Sequence, residues 1–154
     1  MRRLGIIPCT KEKIWDLQPD AGAVVAHRAY RGFLFHLTRS YAESFLDDWV
    51  VFSALHGFLK PDDRIPAAYD ITFNRPGDPV IQLPALRAQV SSKGLDTYDV
   101  AVILCPESYA VRVEYAYADT ATQLAAPFRG RGGIVGMRDW LKDCIQSGRP
   151  DLPP

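Results

Sequence analysis

The sequence predicts an α/β protein: a three-layer α/β/α domain on a mostly parallel four-stranded sheet. Four short apolar runs punctuate the chain, "LGIIP" (4–8), "WVVFSA" (49–54), "DVAVILC" (99–105) and "TQLAAP" (122–127). The first three are continuous rather than alternating, as in strands covered on both faces. Between the runs, apolar residues recur at helical spacing. Strand and helix alternate four times, which gives parallel pairing through crossover helices.

Each element has its own signal. Val24, Tyr30, Leu34, Leu37, Tyr41 and Phe45 share one stripe and predict a helix over 23–46. Ile81, Leu83, Leu86 and Val90 predict a second over 79–95. A third is expected over 107–117. A fourth spans 134–145, with Met137, Trp140, Leu141 and Cys144 on one face. The tail "QSGRPDLPP" stops that helix, and residues 148–154 are expected to fray. Residues 55–79 form the one long irregular stretch, rich in Pro, Asp and aromatics, and a loop of that length is expected to be ordered and functional.

The 154 residues fit a single domain, and 47% apolar content is enough to build a core. Eighteen basic residues balance eighteen acidic ones, which removes any whole-chain electrostatic case for wrapping long nucleic acid or coating an anionic membrane. Three cysteines without CxxC spacing exclude a disulfide framework or zinc ribbon. No segment has the length of a membrane span, and the apolar run near the start is too short for a signal core. A soluble, cytoplasmic protein is expected, with no metal site and no cofactor.

In open α/β sheets ligands bind beyond the carboxyl ends of the strands, so four segments are candidates. In "PCTKEK", Cys9 is either a nucleophile or a small packed hydrophobe. Thr10, Lys11 and Lys13 are either anion contacts or solvated residues. In "SALHGFLKPDDRIPAAYDITF", Ser53, His56 and Asp70 suggest a hydrolase set, but no GxSxG elbow is present, and His56 follows Ser53 too closely to imply triad geometry. Asp70 suits a general base or a binding carboxylate, and equally a cap or turn. Tyr69 and Thr72 flank it. In "CPESY" the start of a helix faces the same end of the sheet. In "PFRGRGG", Arg129 and Arg131 sit among glycines at another helix start. That segment fits an anion but matches neither the phosphate-loop nor the dinucleotide fingerprint.

These segments together carry a resemblance. Cys9, Thr10 and Lys13 fit a C-[ST]-x-x-K opening. Ser53, Ala54, His56, Gly57, Leu59 and Pro61 fit S-A-x-[YH]-G-L-L-x-P, with Phe58 in place of a leucine. Tyr69, Asp70 and Thr72 fit Y-D-x-T, and a glycine-rich turn precedes the final helix. The chain thus resembles an uncharacterised bacterial and phage family, related in pattern to the peroxide-stress protein YaaA and to the core domain of archaeosine synthase. The broader grouping resembles the uracil-DNA-glycosylase-like α/β fold. The resemblance implies work on nucleobases, nucleotides or nucleic acid. "IIPCTKEK" stands where true uracil glycosylases carry their water-activating loop, so ordinary uracil excision is not implied.

The expectation is therefore an enzyme acting on a nucleobase or nucleotide, free or within a short nucleic acid, by glycosidic-bond or base-modification chemistry. Asp70 or His56 would handle protons, with Cys9 as a possible nucleophile. Thr10, Lys11, Lys13, Ser53, Tyr69 and Thr72 would line one side of the cleft. Arg129 and Gly133 would close the other, and Arg28, Tyr30 and Arg31 would add phosphate or base contacts. Tyr69 or Phe73 would stack on a base. The alternatives are a non-catalytic DNA, RNA or nucleotide-binding module and a redox-responsive protein using Cys9.

Overall fold

The computed structural model describes residues 1–153; Pro154 lies outside the described residues. In chain order the elements are β1 (Arg3–Pro8), a 3-10 turn (Ile14–Asp16), β2 (Val24–Val25), α1 (Ala26–Ala29), α2 (Phe33–Phe45), β3 (Asp48–Ser53) and β4 (Gly57–Leu59). There follow β5 (Arg64–Ile65), α3 (Leu83–Ser92), a second 3-10 turn (Leu95–Thr97), β6 (Val100–Ile103), α4 (Glu107–Ala116), β7 (Gln123–Ala125) and α5 (Gly133–Ser147). The main sheet has five strands in the order β4-β3-β1-β6-β7. β3, β1, β6 and β7 run parallel, and β4 pairs antiparallel with β3.

The four expected strands are all present and parallel, and the sheet is α/β with helices on both faces. Alternate residues of each central strand point to opposite layers. Ile7 and Val51 join the core beneath α2 and α5, which also holds Phe35, Tyr41, Trp140 and Leu141. Leu4, Ile6, Val50 and Phe52 join the core beneath α3 and α4, with Leu86, Val90, Tyr109 and Val113. Each fully buried aliphatic or aromatic side chain stabilises the fold by roughly 1.5–3 kcal/mol. Covering both faces is what makes these strands continuous apolar runs.

The structure differs from the sequence reading at three places. The fifth strand, β4, comes from the stretch 55–79. It forms a hairpin with β3 in which Ser53 pairs with Gly57 across the turn at Ala54–His56. Gly57 has φ +74°, the left-handed residue that closes such a three-residue turn. The helix expected over 23–46 is broken. Val24 and Val25 pair with Arg64 and Ile65 as a separate ribbon, Tyr30 is extended, and α2 starts only after Gly32 at φ +99°. The physical cause is competition from tertiary pairing: Arg31 N–H donates to Glu12 O at 2.9 Å and Tyr30 bridges to Lys13, which holds the backbone out of the helix.

The tail expected to fray is instead held through Asp151. Tyr41 Oη donates to Pro150 O at 2.6 Å, and Trp140 Nε1 donates to Asp151 Oδ2 at 2.9 Å. Tyr41→Phe removes the first of these from a buried phenol and is expected to lower stability by about 1 kcal/mol. A urea midpoint unchanged from wild type would show the tail contact to be energetically idle.

Candidate functional site

The sheet topology marks one crevice. The chain leaves β1 toward α2 on one face, and leaves its neighbour β6 toward α4 on the other. Loops that part in this way open a cleft at the carboxyl ends of the two strands. Cys9, the first residue after β1, packs against both core layers at this point. Around it lies a cavity of about 220 Å³ lined by Cys9, Lys11, Lys13, Asp70, Thr72, Arg75 and Tyr109, among others. An adjoining cavity of about 270 Å³ shares Lys11, Lys13 and Asp70 and adds Trp15 and Tyr69.

Lys13 is the unusual member. Its side chain lies at the junction of both cavities, yet the residue is only 5% exposed. Trp15, in the 3-10 turn that follows, is also buried, 7% exposed, and donates from Nε1 to Gly22 O at 2.8 Å. Asp16 Oδ2 caps the turn by accepting from Lys13 N–H at 2.8 Å. The ammonium itself has one hydrogen-bond acceptor, Lys11 O at 3.2 Å, and faces the Tyr69 ring at 4.6 Å from the centroid. Among the described residues no carboxylate stands within ion-pairing distance of Nζ. Lys93, by contrast, meets Asp63 at 2.8 Å. Burial lowers the Lys13 pKa below its ordinary value, with Cys9, Asp70, Asp16 and Glu12 partly offsetting the shift.

Behind Lys13 stands a chain of hydroxyls. Ser53 is fully buried, and its Oγ accepts from the N–H groups of Leu55 at 3.3 Å and His56 at 3.1 Å. With its lone pairs so engaged, Ser53 donates its own proton to Tyr69 Oη at 2.8 Å. Tyr69 Oη in turn bonds Tyr30 Oη. Burial pushes both phenols well above their ordinary value, so they stay neutral. Tyr109 Oη donates to Thr72 Oγ1 at 3.2 Å, and burial pushes its pKa up to about 12.

The expected nucleophile and bases fare differently. Burial raises the Cys9 thiol above its ordinary value, opposed in part by the Ala54 backbone and the Lys13 charge. Cys9 and Lys13 are thus both shifted toward their neutral forms. A neutral thiol of this kind does not suit the redox reading. His56 does not line the cleft. Its ring meets Tyr69 edge-on at 5.0 Å, its Nε2 is buried without a partner, and burial together with the Lys93 charge lowers its pKa. Asp70 lines both cavities, is 62% exposed, and lies 3.5 Å from Arg75, whose Nε also holds Asp78 at 2.9 Å.

Several expected ligand contacts are corrected. The Thr10 hydroxyl is spent on loop carbonyls, donating to Arg31 O and to Glu12 O at 3.1 Å. Ser53 is an internal hub without exposure. Arg28 lines a different cavity with Arg64, and Arg31 contributes its main chain to the loop. Arg129 and Gly133 do not close the cleft: they line a separate cavity of about 480 Å³ that shares no residue with it. The Arg129 guanidinium is already held by Glu107 at 2.9 Å and by Glu114. Phe73 is packed against Phe52 at 5.6 Å and Tyr109 at 4.7 Å, under the Arg112 guanidinium, so it offers no free stacking face. Arg75 and Tyr109 were not singled out from sequence. Tyr109 had a signal, as part of "CPESY" after the third strand; Arg75, in "NRPGDP", had none.

Fold and cleft together define an open α/β protein with a lysine-containing site at the switch point of its parallel sheet. The chain belongs to DUF6884, a family of unknown function, which it matches over residues 5–143. It is also similar to the "Uncharacterized protein YfjM" of Bacillus subtilis (strain 168), at 44% identity over 109 residues, 71% of this chain and 73% of that protein. No solved structure matches the chain. No helix among the described residues is long and apolar enough to cross a membrane.

Proposed function

We propose that the chain is an enzyme acting on a nucleobase or nucleotide, free or in a short nucleic acid, held in the cleft around Lys13. The observation that carries this reading is the near-buried, unpaired Lys13 ammonium. A buried charge without an ionic partner costs stability, and an anionic ligand such as a phosphate would supply the missing partner. Lys11 and Arg75 flank it, so three basic side chains face one carboxylate, Asp70, in the smaller cavity. Trp15 and Tyr69 give the adjoining cavity flat apolar surface suited to a base. The pattern shared with the peroxide-stress protein YaaA and archaeosine synthase supports nucleobase chemistry over other anionic substrates. Asp70, exposed at the mouth, is the group to activate water or accept a proton.

The test is a thermal-shift screen against nucleobases, nucleosides, nucleotides and oligonucleotides. A ligand at 100 times its Kd stabilises the native state by about 2.7 kcal/mol. A mononucleotide is expected to raise the melting temperature in wild type and in Arg129→Ala, but not in Lys11→Ala or Lys13→Met. No shift with any of these ligands overturns the reading. Asp70→Asn is expected to bind but not turn over. One observation favours a non-catalytic binding module instead: of the three expected catalytic side chains, Cys9 is neutral and His56 lies outside the cleft, which leaves Asp70 alone in place. Oligonucleotide affinity falling steeply with salt, without product, would select that second reading.

A further inference from the structure

We propose that Lys13 is an amine nucleophile that condenses with the carbonyl carbon of an aldehyde sugar held in the cleft, forming a Schiff base. The choice of sugar rests on the nucleotide reading above; the reactive amine does not. Three features of the geometry carry the inference. Lys13 lines both adjoining cavities, so a substrate entering either one meets its amine. Its Nζ is held by one carbonyl and by the rings of Tyr69 and, more distantly, Tyr30, which fixes its direction and leaves hydrogen-bonding capacity unused. Its close polar neighbours Tyr69, Tyr30 and Cys9 are neutral groups, so none forms a tight ion pair that would lock the amine in its charged form.

Charged groups do act on it from further off. Asp70, Asp16 and Glu12 favour the ammonium, but the Asp16 carboxylate is already committed to the backbone of Lys13. Burial works against the charge, and the net effect is a lowered pKa, which raises the share of free amine needed for attack above that of an ordinary lysine. Lysines used for Schiff-base chemistry have this character: desolvated, directed and not salt-bridged.

The step balances without any oxidant. The amine lone pair forms a bond to the carbonyl carbon, the C=O π pair moves to oxygen, and proton transfer gives a carbinolamine. The C–O bond then breaks with loss of water, leaving an imine that takes up a proton. Asp70, at the boundary shared by both cavities, is placed to move these protons through water.

The test is reductive trapping on the full-length protein. Wild type is incubated with cyanoborohydride and, separately, with 2-deoxyribose 5-phosphate, with an oligonucleotide bearing an abasic site, and with glycolaldehyde. Intact mass and peptide mapping then locate any adduct. The expected result is one dominant adduct on Lys13, retained in Lys142→Ala, a change at an exposed lysine on α5 away from the cleft, and lost in Lys13→Met. Mapping on wild type makes the result independent of whether the Met variant folds. No adduct, or adducts spread over exposed amines such as Lys11, Lys60 and Lys142, overturns the inference. Stabilisation by a nucleotide without a Lys13 adduct overturns this inference and leaves the proposed function standing. A Lys13 adduct with glycolaldehyde but no stabilisation by any nucleotide does the reverse.

Discussion

Gly57→Ala should destabilise the protein by about 3 kcal/mol, the strain and contact losses of one methyl group taken together. Gly57 has φ +74°, and a side chain there collides with Gln89 Oε1 and meets Ile81 Cδ1 at 2.8 Å. Left-handed strain on a non-glycine residue costs on the order of 1 kcal/mol or more. The Gln89 contact cannot be relieved cheaply. Its Oε1 accepts from Phe58 N–H at 2.8 Å and its Nε2 donates to His56 O at 2.9 Å, so the amide clamps both sides of the hairpin turn. Moving it aside gives up two partly buried bonds worth roughly 1 kcal/mol each. The same turn carries the two N–H groups that orient Ser53, and through it Tyr69, so the cleft wall loosens with the hairpin. Urea unfolding reads the effect as a fall in midpoint at constant slope. A loss under about 1 kcal/mol would mean that Gln89 re-packs freely and that the clamp is not what fixes the turn.

The layers were legible in the sequence because they depend on composition over short windows. A strand buried on both faces has to be apolar throughout, so β1, β3 and β6 announced themselves. The helix expected over 107–117 is present as α4, Glu107–Ala116. What the sequence concealed depends on partners remote along the chain. β4 is three residues long and is a strand only because β3 offers an edge. Tyr30 continued a helical stripe, yet its backbone bridges to Lys13 and its phenol bonds Tyr69. Arg129 looked free among glycines, but two glutamates from α4 reach it. Cys9, Lys13 and Asp70 were legible as cleft residues because they follow strand ends or lie in the long connection. The burial of Lys13 was not: it depends on residues remote along the chain, with its backbone bridged to Tyr30 and its ammonium over the Tyr69 ring.

Lys13→Met should raise stability at neutral pH by about 1 kcal/mol while removing nucleotide binding. The buried ammonium has lost most of its water and gained one carbonyl and the faces of two tyrosine rings in return. Methionine fills a similar volume without that cost and keeps contact with the Tyr69 ring. The pH dependence separates this cause from simple repacking. The folded-state pKa of Lys13 lies below its ordinary value of 10.5, so in the intervening window the unfolded chain binds the extra proton. Stability contributed at this site therefore rises as pH climbs through the window; the full penalty is present below it and gone above 10.5. Cys9, Tyr30, Tyr69 and Tyr109 act in the opposite sense at high pH, because their raised values make the native state hold its protons longer. The informative quantity is the difference between wild type and variant. It should be largest at neutral pH and shrink toward alkaline pH. A difference that stays constant would assign the gain to packing, and a loss of stability at neutral pH would make Lys13 a structural residue whose charge the fold requires. A gain coupled to loss of binding would mean that the fold carries an unfavourable charge at its switch point for the sake of what binds there.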